Sequence, residues 1–276
     1  MKKIGIALSG GGARGAYQIG VWKALKEHGI DKQINAFAGA SVGSLNAILF
    51  AMGDFDLAYE TWKGLDDRQL FVYNTKALFK RLRHEKFNFL NKGVYNTERL
   101  KELMEEVIQF DMLKDKEVYV STTLIGDHDG KFFDLIKTNY KHFFKDENRI
   151  KYTNISNMTD SAIKNTVLAS CAIPVAFKPI TIGDQTFYDG GILDNIPSIP
   201  LIENNCDLII VIDLFKFSPS RHKLKKSEEN IIEIYPHRSL RGILDYRQKH
   251  FERRFELGYI DGINAIPKIK ELIKEN

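Results

Sequence analysis

The first 53 residues contain two successive units in which an apolar strand, a glycine-containing turn and a helix follow one another. The first unit is "KKIGIAL", the loop "SGGGARG" and a helix that closes at Gly29. The second is "INAFAGAS" followed by "VGSLNAILFAMG", a helix expected to end at Gly53. Glycine is favoured just after a helix because it adopts left-handed backbone conformations without strain. This alternation predicts βαβ winding and a parallel sheet.

Two hairpins and two buried strands are predicted further along the chain. One hairpin spans residues 117–137 with its tip at 127–130, and the other spans 177–191 with its tip at Gly183-Asp184. The runs "CDLIIVIDLF" and "NIIEIYP" are predicted to be strands. Between Ser239 and Leu257, the apolar residues with the spacing of one face of a basic amphipathic helix are Leu240, Leu244, Phe251 and Phe255. Residues 1–276 are expected to form a single α/β domain.

Two regions differ from this pattern. Residues 65–115 mix phenylalanines with lysines and arginines, and we expect a helical, cap-like insertion there. Such a segment could enter lipid, since interfacial segments use aromatic and basic side chains. We favour the alternative that its aromatic residues pack on the sheet, because apolar residues at helical spacing usually belong to a core. Residues 216–276 are expected to be a basic C-terminal extension packed on the domain.

Composition excludes several classes of protein. The net charge of +4 is too small to indicate nucleic-acid binding by itself. Cys171 and Cys206 are the only cysteines and belong to no C-x-x-C pair, so neither a zinc site nor a disulfide framework is expected. The basic start is followed by too short an apolar run for a signal peptide. We therefore expect a cytoplasmic protein, with peripheral membrane contact left open, and no metal or cofactor.

The glycine loop invites comparison with dinucleotide-binding proteins. Residues 10–15, "GGGARG", match G-x-G-x-x-G directly after a strand. A dinucleotide site also needs an acidic residue at the end of the second strand to bind the ribose. That strand instead ends in Gly39 and continues into "ASVG", while Asp31 precedes it. We therefore expect no nucleotide, and the loop must serve another negative charge.

Residues 39–43, "GASVG", match G-x-S-x-G between a predicted strand and a predicted helix. This context is typical of a nucleophile elbow, in which Gly39 and Gly43 allow a sharp turn that exposes Ser41 at the helix N-terminus. Unpaired N–H groups and the helix dipole favour a developing negative charge there. Both glycine loops follow parallel strands and so lie at one edge of the sheet. The amides of Gly11 and Gly12 could then form an oxyanion hole above Ser41, with Arg14 holding the loop or a phosphate.

Two residues are candidates for the base that activates Ser41. Asp189 ends a predicted strand and is followed by Gly190 and Gly191, which relieve strain in a tight bend. His237 follows the predicted strand "NIIEIYP" and is the histidine best placed for a triad. In α/β-hydrolases, however, several strands precede the nucleophile, whereas here only one precedes the strand that carries Ser41. We favour Asp189, although an Asp-Gly pair is often only a turn.

The three motifs in this order resemble the patatin-like phospholipases. The segments concerned are "ALSGGGARGAYQIGVWKAL", "AGASVGSLNA" and "YDGGILDNIP", and "ASCAIPVAFKPI" is similar to the stretch that precedes the last of them. The resemblance covers residues 4–215. It implies a three-layer α/β/α sandwich with a mainly parallel central sheet, and a Ser41–Asp189 dyad without a catalytic histidine. It also implies that the oxyanion hole is the loop formed by Gly10, Gly11, Gly12, Arg14 and Gly15.

The hypothesis that follows is a serine acyl-ester hydrolase of the phospholipase A or lysophospholipase type. Its partner is a lipid ester, and it uses neither nucleic acid nor nucleotide. A lipid transacylase that transfers the same acyl group to an alcohol is the alternative within enzymes. A lipid-binding regulatory module is the alternative outside them.

Overall fold

Eight strands and seven α-helices are present in the part of the chain that the structure describes. The structure is a computed structural model and describes residues 2–65, 97–126, 145–174, 176–217 and 230–274. The strands are β1 (Ile4–Leu8), β2 (Ile34–Ala40), β3 (Glu117–Gly126), β4 (Ile150–Asn154), β5 (Ile180–Ile182), β6 (Gln185–Asp189), β7 (Leu208–Ile212) and β8 (Ile231–Ile234). The helices are α1 (Ala16–Glu27), α2 (Val42–Met52), α3 (Phe55–Gly64), α4 (Glu98–Val107), α5 (Asp160–Ser170), α6 (Ile199–Glu203) and α7 (Gln248–Lys274).

These elements confirm the predicted strand–helix units at the start of the chain. Gly29 and Gly53 follow α1 and α2 with φ angles of 67° and 77°, as expected for glycines that end helices. The hairpin with its tip at Gly183 is also confirmed, as β5 and β6. The tip expected at 127–130 and residues 66–96 of the expected insertion lie outside the described residues.

The strands form one mixed sheet in the order β5-β6-β3-β2-β1-β7-β8, with β4 also paired to β3. The run from β3 through β2, β1 and β7 to β8 is parallel. The pairs β3–β4, β3–β6 and β5–β6 are antiparallel. The predicted parallel sheet is thus confirmed as the centre of the fold, and the antiparallel strands β4 and β6 join it at β3.

Helices cover both faces of this sheet because side chains alternate along each strand. On one face, Ile6 and Leu8 share a core with α1 and α2. On the other face, the small residues Ala7 and Ala38 pack against Leu201 of α6. The expected three-layer arrangement is therefore confirmed.

The antiparallel strand β6 meets β2 end to end along β3. β2 pairs with residues 117–121 of β3, β4 with 119–123, and β6 with 122–126. Because the β4 pairing overlaps both of the others, β4 lies along one edge of β3, and β2 and β6 follow each other along the opposite edge. Ala40 is paired with Ser121 and Asp189 with the next residue, Thr122. The residue after β2, Ser41, thus comes next to the end of β6.

The predicted bounds of the C-terminal helix, Ser239 and Leu257, are both wrong. α7 begins at Gln248, not Ser239, and continues to Lys274. Leu240 and Leu244 therefore precede the helix, although Leu240 is buried. The pair Asp261-Gly262 also lies within α7. Gly262 lies against Val21 and Ala24 of α1, which shows how closely the two helices pack.

Candidate active site

Ser41 lies on a strained turn between β2 and α2. Its φ and ψ angles are 54° and −130°, a backbone conformation that residues other than glycine rarely adopt. The neighbouring glycines permit the turn, because a Cβ on Gly39 would collide with the Gly43 carbonyl and one on Gly43 with the Leu8 carbonyl. This is the geometry that the sequence predicts for a nucleophile elbow.

A buried serine holds the turn from behind. The backbone N–H of Ser41 donates to Ser170 Oγ at 2.9 Å, and Ser170 Oγ donates to the Ser121 carbonyl at 2.7 Å. The Ser41 carbonyl accepts from Ser44 Oγ at 2.6 Å. The Ser41 backbone is therefore fixed at both ends of the residue, while its side chain lines a cavity. Sequence reasoning missed Ser170, although "ASCAIPVAFKPI" contains it.

Asp189 ends β6 and is buried, with 5% of its surface exposed. Its Oδ1 accepts the Gly191 N–H at 2.7 Å, and its backbone N–H donates to the Ala172 carbonyl at 3.0 Å. Gly190 is pressed against Ser121, where a Cβ would collide with the Ser121 carbonyl. The two glycines of the predicted bend thus have different uses: one permits close packing and the other supplies an N–H to the carboxylate.

The environment of Asp189 favours its neutral form. Burial raises the pKa of the carboxyl group to about 7, while the Ser41 hydroxyl and the Gly191 N–H lower this pKa by smaller amounts. Oδ2 is buried and accepts no hydrogen bond of standard geometry from the described residues. The Ser41 hydroxyl therefore lies close enough to influence the carboxylate but does not satisfy Oδ2 in this structure.

Gly11 and Gly12 of the glycine loop lie at the same cavity. No hydrogen bond within the described residues engages the N–H of Gly11 or Gly12, both of which line the cavity. The Gly10 N–H instead donates to Asn195 Oδ1 at 3.1 Å. Gly15 lies away from the cavity, against Trp62 and Asn46. Arg14 Nε donates to the Arg241 carbonyl at 2.7 Å, and its guanidinium lies 4.7 Å from the ring centre of Phe215.

Asn195 links the glycine loop to the segment after Asp189. Besides accepting from the Gly10 N–H, its Nδ2 donates to the Gly10 carbonyl at 3.4 Å. Asn195 Oδ1 is also the atom nearest to a Cβ placed on Gly191. Sequence reasoning missed this residue because its contact spans 185 positions. Within "YDGGILDNIP", its place six residues after Asp189 was the available signal.

The cavity that contains Ser41 and Asp189 has a volume of about 470 Å³, within the range of small-molecule sites. Its other walls include Ile173, Leu193 and the exposed rim residue Phe217, which is 85% exposed.

Two smaller apolar cavities continue from Ser41 along α2. The nearer, of about 60 Å³, contacts Ser41 and Leu45. The farther, of about 70 Å³, extends to Leu49 and Ile108. The residues that line both are Val42, Leu45, Leu100 and Tyr246. Leu100 belongs to α4, so the described part of the expected cap-like insertion helps to form this apolar path.

His237, the other candidate base, is not among the residues that line the cavity. Its Nδ1 lies 2.5 Å from Asp261 Oδ1 on α7, and 43% of its side chain is exposed. The same carboxylate accepts the Tyr17 hydroxyl at 2.8 Å. These contacts join His237 to the packing of α7 on α1 and not to Ser41.

The described residues contain neither a cluster of metal-binding side chains nor a helix that could span a membrane. There, no three histidine, cysteine or acidic side chains are grouped as a metal would require. No α-helix among those in the structure is both long and apolar enough to cross a membrane.

Solved structures of other proteins share this fold. VipD from Legionella pneumophila aligns with a TM-score of 0.58 and 16% identity, over 97% of this chain and 67% of that protein. Human GIVD cytosolic phospholipase A2 aligns with a TM-score of 0.54 and 10% identity, over 99% of this chain and 60% of that enzyme. At these identities, the likeness establishes the fold alone.

Sequence comparison points in the same direction. An uncharacterized NTE family protein of Mycobacterium bovis is 26% identical over 215 residues, which is 77% of this chain and 49% of that protein. The lysophospholipase NTE1 of Cryptococcus neoformans is 29% identical over 221 residues, 77% of this chain and 11% of that enzyme. This chain thus spans about half the length of the first relative and far less of the second.

A family model of the patatin-like phospholipases matches residues 6–202. This range covers more than half of the chain and contains Ser41, Asp189 and the glycine loop. On this match, the chain belongs to the patatin-like phospholipase family.

Proposed function

We propose that this chain is a serine hydrolase that releases fatty acids from phospholipid or lysophospholipid esters. Ser41 is the nucleophile and Asp189 is its direct base. The observation that carries the proposal is the buried Asp189 carboxylate beside Ser41, with Oδ1 held by the Gly191 N–H and Oδ2 without a hydrogen-bond partner among the described residues. An oxygen atom in that state is ready to accept the proton of a neighbouring hydroxyl.

The reaction proceeds through an acyl-enzyme. Asp189 takes the Ser41 proton as Oγ attacks the ester carbonyl, and the oxygen of the tetrahedral intermediate accepts the N–H groups of Gly11 and Gly12. The intermediate collapses, the leaving alcohol takes the proton from Asp189, and the acyl group stays on Ser41. A water molecule then attacks the acyl carbonyl and gives a proton to Asp189; the bond to Ser41 Oγ breaks, Oγ takes that proton back from Asp189, and the fatty acid departs.

Of the five residues expected in the oxyanion hole, only Gly11 and Gly12 are proposed as donors. The Gly10 amide already donates to Asn195, and Gly15 lies outside the cavity. Arg14 anchors the loop through the Arg241 carbonyl. Its role is therefore to hold the loop and not to bind the oxyanion.

The apolar path along α2 supports a long acyl chain as part of the substrate. It starts at Ser41 and passes Leu45 toward Ile108. The exposed rim of the larger cavity, with Phe217 and Ile243, supports contact with a lipid surface. A relative that aligns with 77% of this chain is named a lysophospholipase, and that name is consistent with such a substrate.

The test is fatty-acid release from vesicles of phosphatidylcholine and lysophosphatidylcholine without added metal. Wild type is compared with Ser41→Ala and Asp189→Asn, and with the matched controls Ser198→Ala, a buried serine outside the site, and Asp184→Asn, an exposed turn residue. We expect release by wild type and both controls, and a loss of at least about a thousandfold in the two dyad variants. A fluorophosphonate probe should label wild type but not Ser41→Ala.

Other outcomes would change the proposal in definite ways. Full turnover by Ser41→Ala would refute it. A new ester in place of free fatty acid would identify a transacylase, and vesicle binding without turnover would identify a binding module. Loss in Ser41→Ala with normal turnover in Asp189→Asn would remove Asp189 as the base.

A further inference from the structure

Residues 240–246, here called the strap, lie across the glycine loop just before α7. The Ile243 carbonyl accepts the Ala13 N–H at 2.7 Å. A Cβ on Gly12 would collide with the same carbonyl. Ile243 also lines the Ser41 cavity, and Leu244 and Tyr246 line the apolar cavity beside it. The strap therefore forms part of the walls of the site and touches the loop that carries the proposed oxyanion donors.

One buried arginine fixes the strap. Arg254, in the second turn of α7, is 2% exposed. Its Nε donates to the Leu240 carbonyl at 2.9 Å, its Nη2 to the Gly242 carbonyl at 2.8 Å, and its Nη1 to the Asp245 carbonyl at 2.6 Å. These three bonds hold the strap at its start, middle and end.

The fourth bond of Arg254 reaches the glycine loop itself. Nη1 also donates to the Ala13 carbonyl at 3.1 Å. The two peptide groups of Ala13 are thus both held from the C-terminal region, its N–H by Ile243 and its carbonyl by Arg254. The peptide group that precedes these two carries the Gly12 N–H. It joins the held Gly12–Ala13 peptide group at the Gly12 Cα. Since each peptide group is rigid, its direction relative to that held plane depends only on the φ and ψ angles of Gly12.

We propose that Arg254 is a positioning residue for the proposed reaction and holds the Gly11 and Gly12 amides toward the oxyanion. The inference rests on the proposed function. Arg254 is not among the residues that line the cavity, so it acts through the loop and the strap. Both Arg254 and the strap lie outside residues 6–202, so this role belongs to a part of the chain that the family profile does not cover.

The chemistry of the side chain explains why arginine is suited to this position. A guanidinium carries five N–H donors in a rigid plane, and here it directs four hydrogen bonds to carbonyls from two segments. A lysine ammonium carries three donors on a single nitrogen atom and cannot reach carbonyls that are spread around the edge of the guanidinium. The position is therefore specific for the shape of the donor group as well as for its charge.

The test compares Arg254→Met and Arg254→Lys with Arg253→Met. Arg253 is the matched control, because it is the neighbouring arginine on α7 and donates to the Ser239 carbonyl at 3.1 Å from a partly exposed position. The measurements are steady-state kinetics on p-nitrophenyl butyrate and amide hydrogen exchange of peptides that contain residues 10–14. Thermal unfolding confirms that each variant is folded.

For Arg254→Met, we expect kcat to fall about 10- to 100-fold while KM changes less than threefold, since misplaced oxyanion donors weaken transition-state binding and not substrate binding. Exchange at Ala13 should become at least tenfold faster. Arg254→Lys should show the same pattern, and Arg253→Met should resemble wild type. If Arg254→Met does not fold, Arg254→Lys decides the question by the same two measurements.

Two results would overturn the inference. One is a folded Arg254 variant with wild-type kcat. The other is a variant with wild-type exchange at Ala13. If wild type itself does not cleave the ester, the proposed function fails, whereas the exchange comparison still shows whether Arg254 holds the loop.

Discussion

The burial of Asp189 predicts that the candidate base destabilises the folded protein at neutral and alkaline pH. Its carboxyl pKa is raised from 3.8 to about 7, mainly by burial. The folded state therefore binds more protons than the unfolded state between these two values. Under that condition, the free energy of unfolding decreases as pH rises through the same window.

The magnitude follows from the size of the shift. A rise of about three pKa units corresponds to about 4 kcal/mol at pH 8, where the carboxyl group is ionised in both states. At pH 5, where only the unfolded state is ionised, the cost is about 2 kcal/mol. Asp189→Asn removes this cost and can still accept the Gly191 N–H through its side-chain oxygen. Its Nδ2 replaces Oδ2, the atom without a partner among the described residues.

Asp189→Asn should therefore be inactive yet more stable than wild type at pH 8, by roughly 2 to 4 kcal/mol, or a melting temperature higher by roughly 5 to 10 °C. The gain should be about half as large at pH 5. Thermal unfolding of both proteins at the two pH values measures it, and Asp184→Asn in the exposed turn of the same hairpin serves as the control. A variant less stable than wild type at pH 8, or a gain equal at both pH values, would refute the reasoning.

Three further predictions concern activity. First, kcat/KM on an uncharged ester should rise as pH passes about 7, because Asp189 must be ionised to act as base and burial raises its pKa; a flat profile from pH 6 to 8 would contradict this. Second, Leu45→Trp should fill the apolar path and lower activity on sixteen-carbon esters about tenfold relative to four-carbon esters, whereas an unchanged ratio would place the acyl chain elsewhere. Third, Ser170→Ala removes the acceptor of the Ser41 N–H. In ester kinetics and thermal unfolding, it should lower kcat about tenfold and the free energy of unfolding by roughly 1 to 3 kcal/mol; wild-type values for both would show that the elbow does not need the Ser170 hydroxyl.

The sequence predicted the parts of the site that depend on short segments. The elbow at Ser41 follows from two glycines within five residues and from the change from strand to helix around them. The glycine loop is recognisable in the same way, from the G-x-G-x-x-G pattern of residues 10–15. Both patterns are short enough to be seen in the local sequence, although the contacts that hold the two turns are distant: Gly43 lies against Leu8, and Gly12 against Ile243.

The parts that escaped prediction depend on distant contacts. Nothing in the local sequence shows that β6 runs antiparallel along β3, and the place of Asp189 depends on that pairing. Ser170 and Asn195 have polar side chains that many positions tolerate, and only the fold brings them to Ser41 and Gly10.

The error in the C-terminal helix has a specific cause. Leu240 and Leu244 have helical spacing, and this pattern favoured a helix from Ser239. In the fold, the carbonyls of the strap accept hydrogen bonds from Arg254 and Ala13. A helix would use those carbonyls for its own N–H groups four residues later. Hydrogen bonds to Arg254 and Ala13 therefore take the place of helical hydrogen bonds in residues 240–246. The spacing of apolar residues alone cannot show which of the two sets of hydrogen bonds forms.

Because β2 and β6 meet end to end along β3, the length of β3 between the two pairings sets the distance between Ser41 and Asp189. Ala40 lies opposite Ser121, and Asp189 lies opposite Thr122. One residue inserted between Ser121 and Thr122 would move the end of β2 away from the end of β6 by about 3.4 Å. It would also turn the side chains of one of these strands toward the other face of the sheet. Loops elsewhere can change length without altering this spacing. The tolerance of the fold to insertions should therefore be lowest in a strand that contributes no side chain to the proposed chemistry.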